Sequence, residues 1–382
     1  MIVFIHLKHK IMKKFIFLFL VMGIIVGLHA TNNSENEASS INAENPTNDT
    51  IFKPSGKPIA QVFGNFSLNM NPIHNIYGFN FSRAHFGYEY QFSKQIMARV
   101  VLDAGRPTDA GPIFVTDSSG NPMIVNDYST NGAYYTMLLK FAFLEWAPSK
   151  KFKIQIGSVV QNHFMAQEKM WKYRFVAQTF QDRYFRTPSG DLGVIAYFKP
   201  IEGFGFDLAI TNGEGFRSDQ DMFGDVKVAA GVDVIINKKF ENRLYYDFEK
   251  SRNPLESDLQ QTVSFYSGYK WNDKFRIGID LNLRMNHKNN IKQSVFGYSL
   301  FSSYQWNKKW SAFARLDQLT SNRAQILSEV AFYTLDGVGF IGGVSYSPIQ
   351  KVNLAIHYQG FMYENRNIGN SNSINLSFEF LW

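Results

Sequence analysis

Most of the chain alternates between apolar and polar residues in segments of about ten. The clearest segment, FRIGIDLNLRM from Phe275 to Met285, has an apolar residue at every second position and a charged, polar or glycine residue between. Successive side chains of a β-strand point to opposite faces, so this pattern predicts a strand with one apolar and one hydrophilic face. The same alternation recurs around residues 83–90, 96–103, 225–234, 352–359 and 374–382.

Seven short turns punctuate the alternating segments. Each carries a lysine, and most are flanked by aromatic residues. A soluble β-sandwich also alternates, but a band of aromatics beside a row of charged turns is typical of one membrane interface of a β-barrel. The turns are predicted at 93–95, 148–150, 199–203, 237–239, 272–274, 307–309 and 348–351.

Eight longer connections lie between these turns, so seven turns and eight loops join 16 strands. Ile59 to Trp382 supplies about 20 residues per strand and connection, as such barrels use. We therefore predict an all-β, transmembrane, antiparallel β-barrel of about 16 strands, with 14 and 18 as alternatives. The loops are predicted near 71–75, 106–128, 162–188, 212–223, 251–259, 287–292, 320–328 and 363–372.

The N-terminus has the pattern of an export signal. Lys13 and Lys14 precede an apolar run from Phe15 to Leu28, too short for a spanning helix, and a polar tract follows. We predict a signal peptide over 1–30 with Met1 or Met12 as the start, a disordered periplasmic tail over 31–58 and the barrel over 59–382. The last strand ends at Trp382, which is similar to the C-terminal signal of outer-membrane barrels. We therefore expect the barrel-assembly machinery as a partner and an outer membrane of the Gram-negative type, with its lipid, as the location.

Composition removes several classes of protein. The chain has no cysteine, which excludes a disulfide framework, a thiolate metal site and a cysteine nucleophile. The formal charge of +7 depends on the predicted signal, because residues 31–382 carry 35 basic against 32 acidic residues. That balance gives no reason to expect a nucleic-acid partner.

The hydrophilic face of each strand is expected to line a lumen. Its basic and acidic residues nearly cancel, and opposed charges across a wet pore create a transverse field that orients polar solutes. The alternative is that these residues are solvated and paired across strands. The predicted pore-lining residues are Arg83, Arg99, Lys140, Arg243, Arg276, Arg284, Arg315, Asp103, Asp207, Asp233, Asp280 and Asp317.

The loop 162–188 is the strongest candidate for a constriction. It contains Met170, Trp171 and Phe175, an apolar content that folding inward against the barrel wall would bury. Its net charge of +3 predicts a narrow passage that favours anions. The alternative is an external loop packed on a neighbouring subunit. The basic residues of the predicted constriction are Lys169, Lys172, Arg174, Arg183 and Arg186.

Four motif patches give the chain a resemblance to outer-membrane porins, and in particular to the phosphate-selective porin O and P-like group. The resemblance implies passive diffusion of small hydrophilic solutes or inorganic anions through a 16-stranded, often trimeric barrel. The patches are Ile156-Gly157, Glu168 to Arg174, Ser189-Gly190-Asp191-Leu192-Gly193 and Ile210-Thr211-Asn212-Gly213-Glu214-Gly215.

No pattern in the sequence predicts an enzyme, a metal site or a cofactor. Gly337-x-Gly339-x-x-Gly342 has dinucleotide-motif spelling but continues as a strand, and Asp219-x-Asp221 lacks the remaining ligands of a calcium loop. A hydrolase acting through His357 is another alternative. The main alternative is a plugged surface-binding or adhesion barrel without channel activity, which Tyr245, Tyr266 and Phe313 would support if they face inward.

Overall fold

The computed structural model describes residues 52–70, 75–105, 113–116, 122–125, 136–218, 226–250, 259–272, 274–289, 293–322, 335–365 and 368–382. The predicted signal peptide, most of the predicted tail, and Asp219 and Asp221 lie outside these residues.

Within the described residues, sixteen strands close into one antiparallel barrel in which β1 pairs with the last strand, β18. The predicted fold class and strand number are confirmed. The barrel strands are β1 (Ser55–Met70), β2 (Ile76–Gln91), β3 (Ile96–Gly105), β6 (Thr136–Ser149), β7 (Phe152–Val160), β8 (Gly190–Ile201), β9 (Phe204–Thr211), β10 (Lys227–Ile236), β11 (Phe240–Glu249), β12 (Gln260–Lys270), β13 (Phe275–Met285), β14 (Val295–Gln305), β15 (Trp310–Ser321), β16 (Gly337–Tyr346), β17 (Val352–Tyr363) and β18 (Ser371–Leu381).

Short elements occupy some of the connections. Strands β4 (Ile113–Thr116) and β5 (Pro122–Val125) form a separate hairpin between β3 and β6. Helix α1 (Met165–Trp171) and a π-helical turn (Gln181–Phe185) lie between β7 and β8, and a 3-10 turn (His287–Asn289) follows β13. In the part of the chain that the structure describes, no helix has the length and apolar character needed to cross a membrane.

Alternation gives each barrel strand an apolar outer face and a mixed inner face. On β9, Phe206 and Leu208 point outward with 44% and 50% of their surface exposed, while Asp207 and Ala209 are buried inside. Because every strand pairs on both sides, backbone N–H and C=O groups are satisfied within the sheet, as a hydrocarbon environment requires.

The seven short connections all lie at one end of the barrel, which we call the short-turn end. Asn272 Oδ1 accepts hydrogen bonds from the N–H groups of Lys274 and Phe275, both at 2.9 Å. Asn307 does the same for Lys309 and Trp310 at 2.8 and 3.0 Å. An asparagine at the start of a turn thus closes it by satisfying two backbone donors.

Three boundaries differ most from the prediction, one of them after the loop predicted near 320–328, where β16 begins only at Gly337. Strand β1 begins at Ser55, inside the segment assigned to the tail, because Ser55 pairs with Gln91 and Lys57 reaches Glu89 at 2.9 Å. The connection predicted at 106–128 contains the β4–β5 hairpin and extends to the start of β6 at Thr136. The run IFVT of β4 favours a strand because it is rich in β-branched and aromatic residues.

Candidate functional site

The connection between β7 and β8 lies inside the barrel, and we call residues 162–188 the inward loop. Met170 and Trp171 are each only 1% exposed. The Trp171 ring packs against the wall residues Phe301 and Phe313, with centroid distances of 5.6 and 5.8 Å. The apolar residues of the loop therefore join a core inside the barrel, which offsets the entropy of ordering a long connection.

Hydrogen bonds from wall side chains hold the inward loop to one side of the barrel. Arg284 on β13 donates to the Phe185 carbonyl at 2.9 Å and to Thr187 Oγ1 at 2.7 Å. Arg315 on β15 donates to the Gln178 carbonyl. Gln359 on β17 donates to the Val176 carbonyl at 3.1 Å. The loop is thus fixed against strands β13–β17.

Four predicted pore-lining residues lie beneath this loop. Arg284, Arg315, Asp280 and Asp317 are all 5% exposed or less. Asp317 accepts hydrogen bonds from Tyr184 of the loop at 2.9 Å and from Arg315 at 2.7 Å. These four residues lie on the inner face, but the loop covers them, so in this structure they contact protein. Arg276 is half-buried on the inner face of β13.

A cavity of about 1170 Å³ remains on the opposite side of the interior, between the inward loop and strands of the β1–β11 half. Of the predicted pore-lining residues, Arg83, Arg99, Lys140, Asp233 and Arg243 line it. The loop contributes Lys169, Lys172 and Arg174.

The other two basic residues of the predicted constriction lie elsewhere. Arg183 reaches Gln359 at 3.5 Å. Arg186 is exposed and adopts a left-handed backbone conformation, with φ of 52°. Three of the five basic residues of the inward loop therefore line the cavity, and Arg183 and Arg186 do not.

Two β-bulges shape the wall of this cavity. In the β1–β2 register Phe63 pairs with Arg83 and Gly64 with Phe81, which leaves Ser82 as an extra residue. In the β3–β6 register Val101 pairs with Phe141 and Leu102 with Leu139, which leaves Lys140 extra. A bulge lets neighbouring residues face the same side, so Lys140 and Phe141 both point inward. Sequence alternation cannot reveal such an inserted residue.

Lys140 belongs to a buried polar cluster. Its Nζ lies 3.2 Å from His85 Nε2 and 3.6 Å from Asp103 Oδ2. Arg217, in the connection after β9, reaches the same carboxylate at 3.7 Å. The Lys140 ammonium also lies 4.9 Å from the centre of the Phe216 ring. The connection after β9 thus packs against the buried cluster through Phe216 and Arg217, a contact that sequence reasoning did not predict.

Some cavity cations are neutralised and others are free. Arg243 is held between Asp207 and Asp233 at 2.8 and 2.9 Å. Arg174 is held between Glu168 and Asp182 at 3.0 and 2.6 Å.

By contrast, Arg83 and Arg99 make no ion pair within the described residues, and Lys169 and Lys172 are exposed to the cavity. Altogether ten basic and five acidic side chains line the cavity. Its walls therefore carry a net positive charge. Lys172 is still partly desolvated by the surrounding protein, which together with the neighbouring Arg276 and Lys270 lowers its pKa from the ordinary value.

Asp191 joins two of the motif patches. Its carboxylate accepts hydrogen bonds from the backbone N–H groups of Gly213 at 2.7 Å, Gly215 at 3.1 Å and Leu192 at 3.0 Å. Gly213 and Gly215 have φ of 104° and 78°, conformations that favour glycine. The patch at 189–193 therefore holds the turn at 210–215, and the spacing of these residues has a structural reason.

The inner wall also bears on the hydrolase, metal-site and plugged-barrel alternatives. His357 Nε2 lies 2.9 Å from Ser377 Oγ inside the barrel, but His357 Nδ1 has no hydrogen-bond partner among the described residues. No carboxylate therefore orients this histidine as a catalytic triad requires. The described residues contain no group of three potential metal ligands. Tyr245, Tyr266 and Phe313 do face inward and are buried.

Solved structures with a similar architecture include outer-membrane channels and porins. The outer membrane channel DcaP of Acinetobacter baumannii matches over 86% of this chain and 97% of its own, with 11% identity and a TM-score of 0.56. The anion-selective porin from Comamonas acidovorans matches over 86% of this chain and 100% of its own, with 8% identity and a TM-score of 0.63. Salmonella typhi OmpF, solved in complex with daunomycin, matches over 86% of this chain and 97% of its own, with 11% identity and a TM-score of 0.59.

The chain has a porin fold. At these identities the likeness concerns the arrangement of strands and not individual residues. No protein-family model and no curated protein matches the sequence.

Proposed function

We propose that the protein is an outer-membrane porin that lets small hydrophilic solutes cross by passive diffusion, with a preference for anions. The observation that carries the proposal is the cavity beside the inward loop, lined by ten basic and five acidic side chains. Unpaired cations in a narrow, water-filled space raise the local concentration of anions and lower that of cations.

The porin fold supports the channel part of this proposal. The outer face of the barrel is apolar, and the strands leave no open edge along the closed sheet. The anion-selective porin from Comamonas acidovorans shares the architecture, although the low identity transfers no residue. In this proposal no cofactor takes part, and the residues that line the cavity act through their charge and size.

Lys169 and Lys172 of the inward loop, with Arg83 and Arg99 of the wall, are the residues we assign to ion preference. The inward loop sets the size limit because it fills the side of the interior next to β13–β17. Lys140, which pairs with Asp103, and Arg243, which pairs with Asp233, supply opposed charges that orient polar solutes.

Location and assembly complete the proposal. Residues 1–30 direct export, the strand ending at Trp382 engages the barrel-assembly machinery, and the mature barrel forms a homotrimer, as the resemblance to the phosphate-selective porin O and P-like group implies. Chemical crosslinking of the detergent-purified protein tests the trimer, and an uncrosslinked monomer at all concentrations would count against it.

Steady conductance in a planar lipid bilayer tests channel activity. A porin gives stepwise insertion events and a lasting current. A plugged surface-binding barrel, the alternative that the inward Tyr245, Tyr266 and Phe313 would suit, gives membrane-inserted protein without a lasting current.

A further inference from the structure

Lysines and tryptophans concentrate at the short-turn end of the barrel. The seven short connections between barrel strands contain nine lysines and only two acidic residues, Glu202 and Asp273. All nine lysines are exposed. We call this set the lysine rim: Lys94, Lys150, Lys151, Lys238, Lys239, Lys274, Lys308, Lys309 and Lys351.

The backbone holds the last lysine of several turns at one level. The carbonyls of Lys239, Lys274 and Lys309 each accept a hydrogen bond at 2.8 Å from a backbone N–H at the end of the neighbouring strand. The donors are Lys270, Gln305 and Ser347. Lys351 repeats the arrangement with Leu381 at 3.0 Å. Because the contact repeats from hairpin to hairpin, these lysines form an ordered row around the barrel and not a random scatter.

The tryptophans fix where this row lies relative to a membrane. Five of the six tryptophans point outward near the short-turn end, with exposures from 44% to 68%, and only Trp171 is buried inside. Tryptophan prefers the boundary between hydrocarbon and headgroups. The neighbouring turn lysines therefore lie at the depth of lipid phosphates. The outward tryptophans are Trp146, Trp271, Trp306, Trp310 and Trp382.

We propose that the lysine rim binds the headgroups of anionic phospholipids in the leaflet at the short-turn end. Two adjacent turns make the best-formed part of the surface, where Trp271 and Lys274 stand beside Trp306, Lys308 and Lys309. A lysine reaching toward a phosphate and a tryptophan lying along the upper acyl chain match the two ends of one lipid.

This surface is separate from the channel wall. Lys150 and Lys151 also line the cavity, but Lys274, Lys308 and Lys309 do not. The inference rests on the membrane insertion stated under the proposed function, but not on the ion preference of the channel.

Tryptophan quenching by brominated lipids tests the proposal on the full mature chain. The protein is inserted in phosphatidylcholine vesicles with a minor fraction of phosphatidylglycerol. In one sample the phosphatidylglycerol is brominated, and in the other an equal fraction of the phosphatidylcholine is brominated. We expect quenching by brominated phosphatidylglycerol to exceed that by an equal fraction of brominated phosphatidylcholine, with local enrichment of roughly fivefold for a lysine held at the headgroups. Equal quenching by both lipids would overturn the proposal.

The variant Lys274→Gln/Lys309→Gln should lower the enrichment, and salt near 1 M, where the screening length is about 3 Å, should nearly abolish it. The matched control Arg186→Gln/Lys250→Gln removes two exposed charges away from the short turns and should leave it unchanged. Equal loss in both variants would contradict a site at the rim.

Two further arms separate other outcomes. Replacing chloride with inorganic phosphate at equal ionic strength should leave the enrichment unchanged, and displacement by phosphate would indicate an anion site instead of a lipid surface. A protein that conducts in the bilayer but shows no enrichment refutes only the lysine rim. A protein that does not insert refutes the proposed function.

Discussion

The two sides of the barrel interior have similar polar residues on their walls but use them differently. On β13 and β15, Arg284 and Arg315 end on backbone carbonyls of the inward loop. On β2 and β3, Arg83 and Arg99 face a cavity of about 1170 Å³. An inward arginine on an alternating strand is therefore a loop anchor or a candidate channel cation according to what lies against it.

The largest effect is expected on the filled side. Trp171→Ala removes an indole that is 1% exposed and packed on Phe301 and Phe313. Truncating a buried tryptophan costs about 3–5 kcal/mol of stability. We expect this loss to weaken the packing of the inward loop against the barrel wall. We expect faster amide hydrogen exchange across α1 and a larger, noisier channel current.

The control is Trp271→Ala, which removes an outward tryptophan that is 68% exposed. It should leave loop exchange and current near their original values. If both variants behave alike, the loop is not held by its aromatic contacts.

On the cavity side, Lys169→Glu/Lys172→Glu changes the lining from ten basic and five acidic side chains to eight and seven. The ratio of chloride to potassium permeability should fall to about one, because little net charge remains to attract anions. Reversal potential in a potassium chloride gradient measures this ratio.

Arg186→Glu, in the same loop but exposed away from the cavity lining, provides the comparison. It should shift the ratio much less. An equal shift would show that overall charge, and not cavity charge, sets the preference.

A smaller effect is expected from Tyr184→Phe. The Tyr184 hydroxyl donates to the buried Asp317 carboxylate at 2.9 Å. A hydrogen bond to a charged group contributes about 1.5–3 kcal/mol, so the loop end near the π-helical turn should exchange faster while the barrel remains folded. Tyr246→Phe, which removes an outward hydroxyl bonded to Gln261, should leave the loop unaffected.

The smallest effect is a pH dependence from Lys172. Its pKa is lowered by partial desolvation and by the nearby Arg276 and Lys270, so it loses its proton at a lower pH than an ordinary lysine. Anion preference should therefore decline as pH rises through that lowered pKa. Between the folded and unfolded pKa values the unfolded chain binds more protons, so rising pH should stabilise the packed loop. Lys172→Met should remove this part of the titration.

Alternation and turn chemistry predicted the barrel well because a closed sheet in hydrocarbon has few other solutions. The segment Phe275–Met285 is strand β13 with the predicted bounds. The apolar content of the inward loop pointed to its buried position, since Trp171 and Phe175 would otherwise face water.

The site could be predicted only in part. At the bulge, strand β6 has one residue more than its partner β3, and that residue is Lys140. No sequence pattern marks the position of such an extra residue. The anchors at Arg284 and Arg315 end on the carbonyls of Phe185 and Gln178, which are backbone acceptors without a side-chain signature. Strand β1 began earlier than predicted because its polar first residues are paired by the backbone of β2.

The reversal potential of the unmodified protein in a salt gradient tests most directly whether an open, positively lined passage runs beside the inward loop. A lasting current whose reversal potential shifts toward the chloride equilibrium potential is the predicted result. A potential shifted toward that of potassium, or inserted protein that carries no current, would contradict it.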